Sequence, residues 1–212
     1  MNSSPVSNLR RRVAGLSLVA GPALLLLSSV LRFGFGLFHE WYLTMKTSFF
    51  FFALAALGLV HLLRGRADGS GHVGGALALA GCLSGASIVT AAYLLAPFAG
   101  RAPQAELQSL YLTIVNTPLP GLCFPVGLLV LAVALWRKRV VPAWVGLLFA
   151  AGAVLFPVAR IPVLVWAHFA CDTLLTVSMG YIGLRLLGQT AVEWEGAAAD
   201  RPQVAETAAV TG

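Results

Sequence analysis

Carboxylates are scarce in this sequence. Eight Asp and Glu stand against 14 Lys and Arg in 212 residues, and charged side chains of both signs make up only 10%. The scarcity is greatest in six long apolar stretches, residues 13–31, 47–63, 73–100, 107–136, 140–159 and 161–184, which together contain one acid, Asp172. A chain that is 58% hydrophobic and so poorly charged would expose large apolar areas to water. A soluble fold is excluded, and lipid is the solvent the chain is built for.

Other absences narrow the chemistry. The three cysteines, Cys82, Cys123 and Cys171, all fall inside apolar stretches without a C-x-x-C spacing, so they read as small packing residues and not as a disulfide framework or zinc site. No Walker loop, H-E-x-x-H, G-x-S-x-G or G-x-G-x-x-G occurs, and phosphoryl, peptide and nicotinamide chemistry are not expected. No lysine stands mid-helix for a retinal Schiff base and no flavin motif is present. No cofactor, metal or intrinsic chromophore is therefore expected. Spanning strands are set aside as well, because segments such as Phe49 to Val60 are apolar all round instead of alternating.

What is present fits one architecture. A bilayer core of about 30 Å takes about 20 apolar residues per helix, and six such helices leave no room for a separate globular domain. The expected fold is an all-α integral membrane bundle of six transmembrane helices. Residues 1–12 form a basic leader, 13–184 the membrane domain, and 185–212 a polar, small-residue-rich tail expected to be disordered. The run from Val13 to Leu31 exceeds the roughly 7 to 15 residues of a signal-peptide core and is read as a retained helix.

With the N-terminus inside, one side collects Arg10, Arg11, Arg12, Arg64, Arg66, Arg137, Lys138, Arg139 and Arg185, and the other holds Arg32, Lys46, Arg101 and Arg160. This asymmetry predicts that both termini are cytoplasmic, and it accounts for the net charge of +6 better than nucleic-acid binding does. Trp41 and Tyr42 are expected on an outer loop, with Trp136 and Trp144 at the inner interface and Trp166 near the outer start of the sixth helix. Asn116, Pro118, Pro120 and Pro125 predict a kinked or re-entrant start to the fourth stretch. Gly81 with Gly85, and Gly146 with Ala150, carry the four-residue spacing of close helix packing.

Asp172 is the residue most in need of explanation. Eleven residues beyond Ile161, it is expected about 16 Å into the bilayer, near the midplane. A carboxylate there is neutral or paired, and is a functional-site hypothesis by default. His168, one turn earlier, and His61 on the second helix are the expected partners; a polar clamp between helices two and six is the plainer alternative. A haem on His61 and His168 is opposed by their different depths. Acid catalysis on an isoprenoid or lipid substrate, in the manner of membrane terpene cyclases, would use Asp172 with Glu40 as a second acid. Transport is weakened by the lack of paired, repeat-related helix breaks.

The overall layout resembles the six-span membrane anti-sigma factors of light-induced carotenoid synthesis in myxobacteria, the CarR type. The length is similar, the leader is short (MNSSPVSNLRRR), the loops are short and no catalytic set is present. The resemblance implies a bacterial inner-membrane protein, not an enzyme, that holds an ECF-type sigma factor inactive in the dark. The sigma factor would touch only the cytoplasmic side, with Arg10, Arg11, Arg12, Arg64, Arg66, Arg137, Lys138 and Arg139 as candidate contacts.

Overall fold

The computed structural model describes residues 5–64, 69–98, 119–160, 163–190 and 193–194, and every regular element among them is helical. Helix α1 (Pro5–Ser29) runs into a π-helical turn (Val30–Gly34). It is followed by α2 (Phe38–Leu62), α3 (Ser70–Leu95) with a 3-10 turn (Ala96–Phe98), α4 (Leu119–Arg137), α5 (Ala143–Arg160) and α6 (Val165–Gly188). Five segments, Val6–Gly34, Phe38–Leu62, Ser70–Phe98, Ala143–Arg160 and Val165–Gly188, are long and apolar enough to cross a membrane; α4 supplies a shorter apolar helix, Gly121–Arg137. The chain is a multi-pass helical membrane protein.

Each helix packs on its neighbours in sequence, and α6 closes the ring against α1. Phe52, Phe124, Phe149, Leu18 and Leu175 are fully buried in the middle. Bundles in lipid are held by close packing, because lipid tails are as apolar as the side chains they would replace. The glycines show this most directly. A Cβ on Gly81 would lie 2.1 Å from the backbone nitrogen of Phe124, and one on Gly127 2.3 Å from that of Ala78, so α3 and α4 meet backbone to backbone. A Cβ on Gly146 would lie 2.8 Å from the Cβ of Trp136. The small-residue spacing thus serves packing within the chain.

Several expected boundaries move. α1 already begins at Pro5, a residue suited to the first helical position, so Arg10, Arg11 and Arg12 stand on a helix and not in a free leader. α2 begins at Phe38, which puts His39, Glu40, Trp41 and Tyr42 on its first turns and not on a loop. α6 begins at Val165, because Val163 takes a positive φ of 53 and Leu164 is extended. Asp172 is therefore seven residues into its helix, about 10 Å from its start, closer to it than the eleven residues counted from Ile161. Residues 107–118 of the fourth stretch, with Asn116 and Pro118, lie outside the described residues, whereas Pro125 is inside α4.

The start of α1 and the end of α6 lie together. Arg11 is 6% exposed, and its Nη1 points at the carbonyl oxygens of Leu186 (2.9 Å), Leu187 (3.0 Å) and Gln189, the acceptors that a helix C-terminus leaves without donors. Beyond α6 the described residues include Glu193 and Trp194. The backbone N–H of Thr190 donates to Glu193 Oε2 (2.6 Å), and that of Glu193 donates to Thr190 Oγ1 (3.3 Å), a reciprocal capping box. Trp194, 3% exposed, stacks on His61 with ring centroids 4.2 Å apart. The expected disordered tail thus opens with a docked turn; residues 195–212 lie outside the described residues.

Candidate functional site

Asp172 is completely buried, and two helix ends converge on it. The Oγ of Ser29, the last residue of α1, donates to Oδ2 at 2.5 Å. Nη2 of Arg160, the last residue of α5, donates to Oδ1 at 2.8 Å and completes an ion pair. Arg160 also lies over the Phe156 ring, 3.8 Å from its centroid, and approaches Cys171 Sγ at 3.7 Å. Removing a carboxylate from water costs several kcal/mol, and an opposite charge and a hydroxyl donor offset that cost.

Neither expected histidine partner takes this role. His168 stands one turn earlier on α6, packed on Phe33 with ring centroids 5.0 Å apart, and its buried Nε2 has no hydrogen-bond partner among the described residues. His61 lies at the far end of the bundle beside Ala14 and Trp194. The fifteen residues from Ala14 to Ser29, at about 1.5 Å each, put it about 22 Å from Asp172. Sequence reasoning missed Arg160 because its place at the end of a span made it look like a topology marker. The short α5–α6 connection is what turns it back onto Asp172.

Next to the ion pair is a cavity of ≈ 410 Å³ lined by residues of each of the described helices α1 to α6. Its polar groups gather at one end: Ser28, Ser29, Arg32, Tyr42, Arg160 and His168. The remaining wall is mostly apolar and includes Phe49, Phe124, Phe156, Ile88 and Val89. Gly85 keeps the wall thin, since a Cβ there would lie 2.6 Å from the Phe49 ring. The π-helical turn after Ser29 carries Arg32, a kind of backbone irregularity common at functional sites. The Arg32 guanidinium carbon lies 4.2 Å from the Trp41 ring centroid and 5.0 Å from that of Phe33. Among the described residues no carboxylate pairs with it. Glu40 is exposed and does not line the cavity.

No protein family, curated protein or solved structure matches the chain. Its chemistry rests on the site itself. The Asp172 carboxylate is taken up by Ser29 and Arg160 and does not line the cavity. Among the described residues no group of three His, Cys, Asp or Glu side chains converges to hold a metal ion. What the cavity offers is binding: cationic and hydrogen-bonding groups at one end of a pocket that is otherwise apolar.

The partner-contact candidates gather at the opposite end. Arg10, Arg12, Arg64, Arg137 and Arg139 are exposed there and Lys138 is half-buried. Arg11 is withdrawn from any surface role by its carbonyl contacts, and Arg66 lies outside the described residues.

Proposed function

We propose that this chain is a non-enzymatic membrane protein that binds a lipophilic molecule inside its helix bundle. The observation that carries the reading is the cavity itself. Its volume falls within the range of small-molecule pockets, and a mostly apolar wall with a few convergent polar groups is the usual make-up of such sites. In this reading six helices cross a bacterial inner membrane with both termini in the cytoplasm, and the cavity lies in the outer half. The exposed arginines at the opposite end support that orientation. Catalysis by Asp172 has less support, because the carboxylate sits behind Arg160 and does not line the cavity.

The test is extraction and mass spectrometry of molecules that copurify with the detergent-solubilised protein. Wild type should retain a lipophile at near one-to-one ratio, and Ala92→Phe, which fills the cavity wall, should lose it. Equal lipid content in both proteins would refute the reading.

A second reading is favoured by the exposed basic end. It would hold an acidic cytoplasmic protein, and the resemblance to membrane anti-sigma factors makes a sigma factor of carotenoid gene expression the partner to test. Five exposed arginines on three helix ends form a multi-point surface. Pull-down from solubilised membranes should recover the sigma factor, and changing Arg137, Lys138 and Arg139 together to Gln should abolish recovery. Loss on Asp172→Asn alone, with the basic triple variant unaffected, would rule this reading out.

A further inference from the structure

We propose that the ligand of the interior cavity is a single-tailed amphiphile with a monoanionic head, a carboxylate or a phosphodiester, whose head is held by Arg32 and His168. This rests on the reading of the cavity as a binding site and specifies what it binds.

Two guanidinium groups face the cavity, and one carboxylate, Asp172, answers one of them. Arg160 is the answered one; Arg32 has aromatic rings beneath it and no carboxylate among the described residues. Arg32 is half-buried, and a cation on a membrane helix without a counter-charge among the described residues marks a site where an anion or a water-filled path is expected. Arginine near a helix end often escapes by extending its head to the interface. Here the guanidinium lies over Trp41, a ring that itself lines the cavity. Among the described residues the net excess is one positive charge, which a monoanion neutralises and a dianion overshoots.

Hydrogen bonding gives the second, independent observation. His168 is 5% exposed and lines the cavity, and its buried Nε2 has no hydrogen-bond partner among the described residues. Buried polar nitrogens are nearly always satisfied, by protein, water or ligand. A head group lying between Arg32 and His168 would satisfy both. The flat guanidinium fork suits the two oxygens of a carboxylate or phosphodiester.

Shape supplies the tail. From this polar end the wall continues through Met45, Phe49, Ile88 and Phe124 without another charged side chain. A free inorganic anion would leave that apolar volume unused, and a neutral lipid would leave Arg32 unanswered.

The experiment is saturation binding of tritiated hexadecanoic acid to the intact detergent-purified protein, read by scintillation proximity, with unlabelled competitors. Methyl hexadecanoate carries the same tail without charge and should compete at least about tenfold more weakly than the acid, the loss expected for one charge-assisted hydrogen bond. Arg32→Gln should bring the acid down to the level of the ester. The acid-to-ester ratio in wild type tests the proposal even if that variant does not fold. Equal competition by acid and ester would overturn the anionic head and leave the cavity reading intact. Absence of saturable binding, with no copurifying lipophile, would overturn both. Displacement by inorganic phosphate alone would show an anion site without a tail and overturn the amphiphile. Displacement by lysophosphatidylglycerol would support the proposal and place phosphodiesters in its head class.

Discussion

Arginine does opposite work at the two ends of this bundle. At the end where α1 begins, Arg11 is buried against the last carbonyls of α6, while its neighbours Arg10 and Arg12 face outward. At the other end Arg160 is locked to Asp172, and Arg32 faces a cavity without a carboxylate partner among the described residues. The first arrangement closes the fold, because helix-terminal carbonyls are obligatory acceptors that must find donors. The second pairs one guanidinium with a carboxylate and leaves the other for the anionic head proposed above.

The ion pair gives the sharpest way to break this contrast. Asp172→Asn strands Arg160 beside an apolar wall and should destabilise the protein by about 3–5 kcal/mol, the usual consequence of removing one member of a buried pair. Unfolding in mixed detergent micelles would measure it. The double variant Asp172→Leu with Arg160→Met should return close to wild-type stability, since a well-packed apolar replacement of a buried pair is often neutral. A double variant as unstable as the single one would mean that Asp172 supports the fold through something other than Arg160.

The bundle was legible in the sequence because burial in lipid demands uninterrupted apolar segments, and those are visible as runs without charge. Asp172 was legible for the same reason, as a lone acid in such a run. Its partners were not. Periodicity brings His168 to the same side of one helix, but the approach of Arg160 and Ser29 depends on where α5 and α1 end and how they tilt together. No local pattern encodes that. The starts of α2 and α6 were misplaced because amphipathic aromatics such as Trp41 and Tyr42 suit both an interfacial loop and the first turns of a helix, and because the positive φ of Val163 carries no sequence signature in a β-branched residue.

At the basic end the expected effect is smaller. Arg11→Met removes donors to at least two carbonyls and a cation at the C-terminus of α6. Hydrogen bonds from a charged group are worth about 1.5–3 kcal/mol, and a loss of about 2 kcal/mol is expected in the same unfolding assay. Arg12→Met, one residue on and exposed, should stay within about 0.5 kcal/mol of wild type. Equal effects at the two positions would show that the carbonyl contacts of Arg11 contribute nothing.

Arg32→Met tests the reserved cation. Its contacts with Trp41 and Phe33 are worth about 0.5–2 kcal/mol, and removing an uncompensated charge from the bundle offsets much of that. A net change under about 1 kcal/mol is expected in the ligand-free protein, against several at Arg160. A loss comparable to that of Asp172→Asn would make Arg32 a structural residue and erase the difference between the two arginines of the cavity.

The smallest effect lies where the chain leaves α6. The Thr190 backbone N–H, with its hydroxyl second, holds the Glu193 carboxyl below the usual carboxylate range. A lowered folded-state pKa means that the stabilising contribution is fully present above the ordinary Glu value of about 4.3 and is lost as the pH falls through the folded value. The turn that docks Trp194 on His61 should therefore loosen on acidification and not on alkalinisation. Thr190→Val removes the hydroxyl and keeps the backbone donor, so the Glu193 midpoint should rise only part of the way, as read by NMR titration of 13C-labelled glutamate. An unchanged midpoint would mean that the hydroxyl does not act on the Glu193 carboxylate, and that the Thr190 backbone N–H alone lowers it.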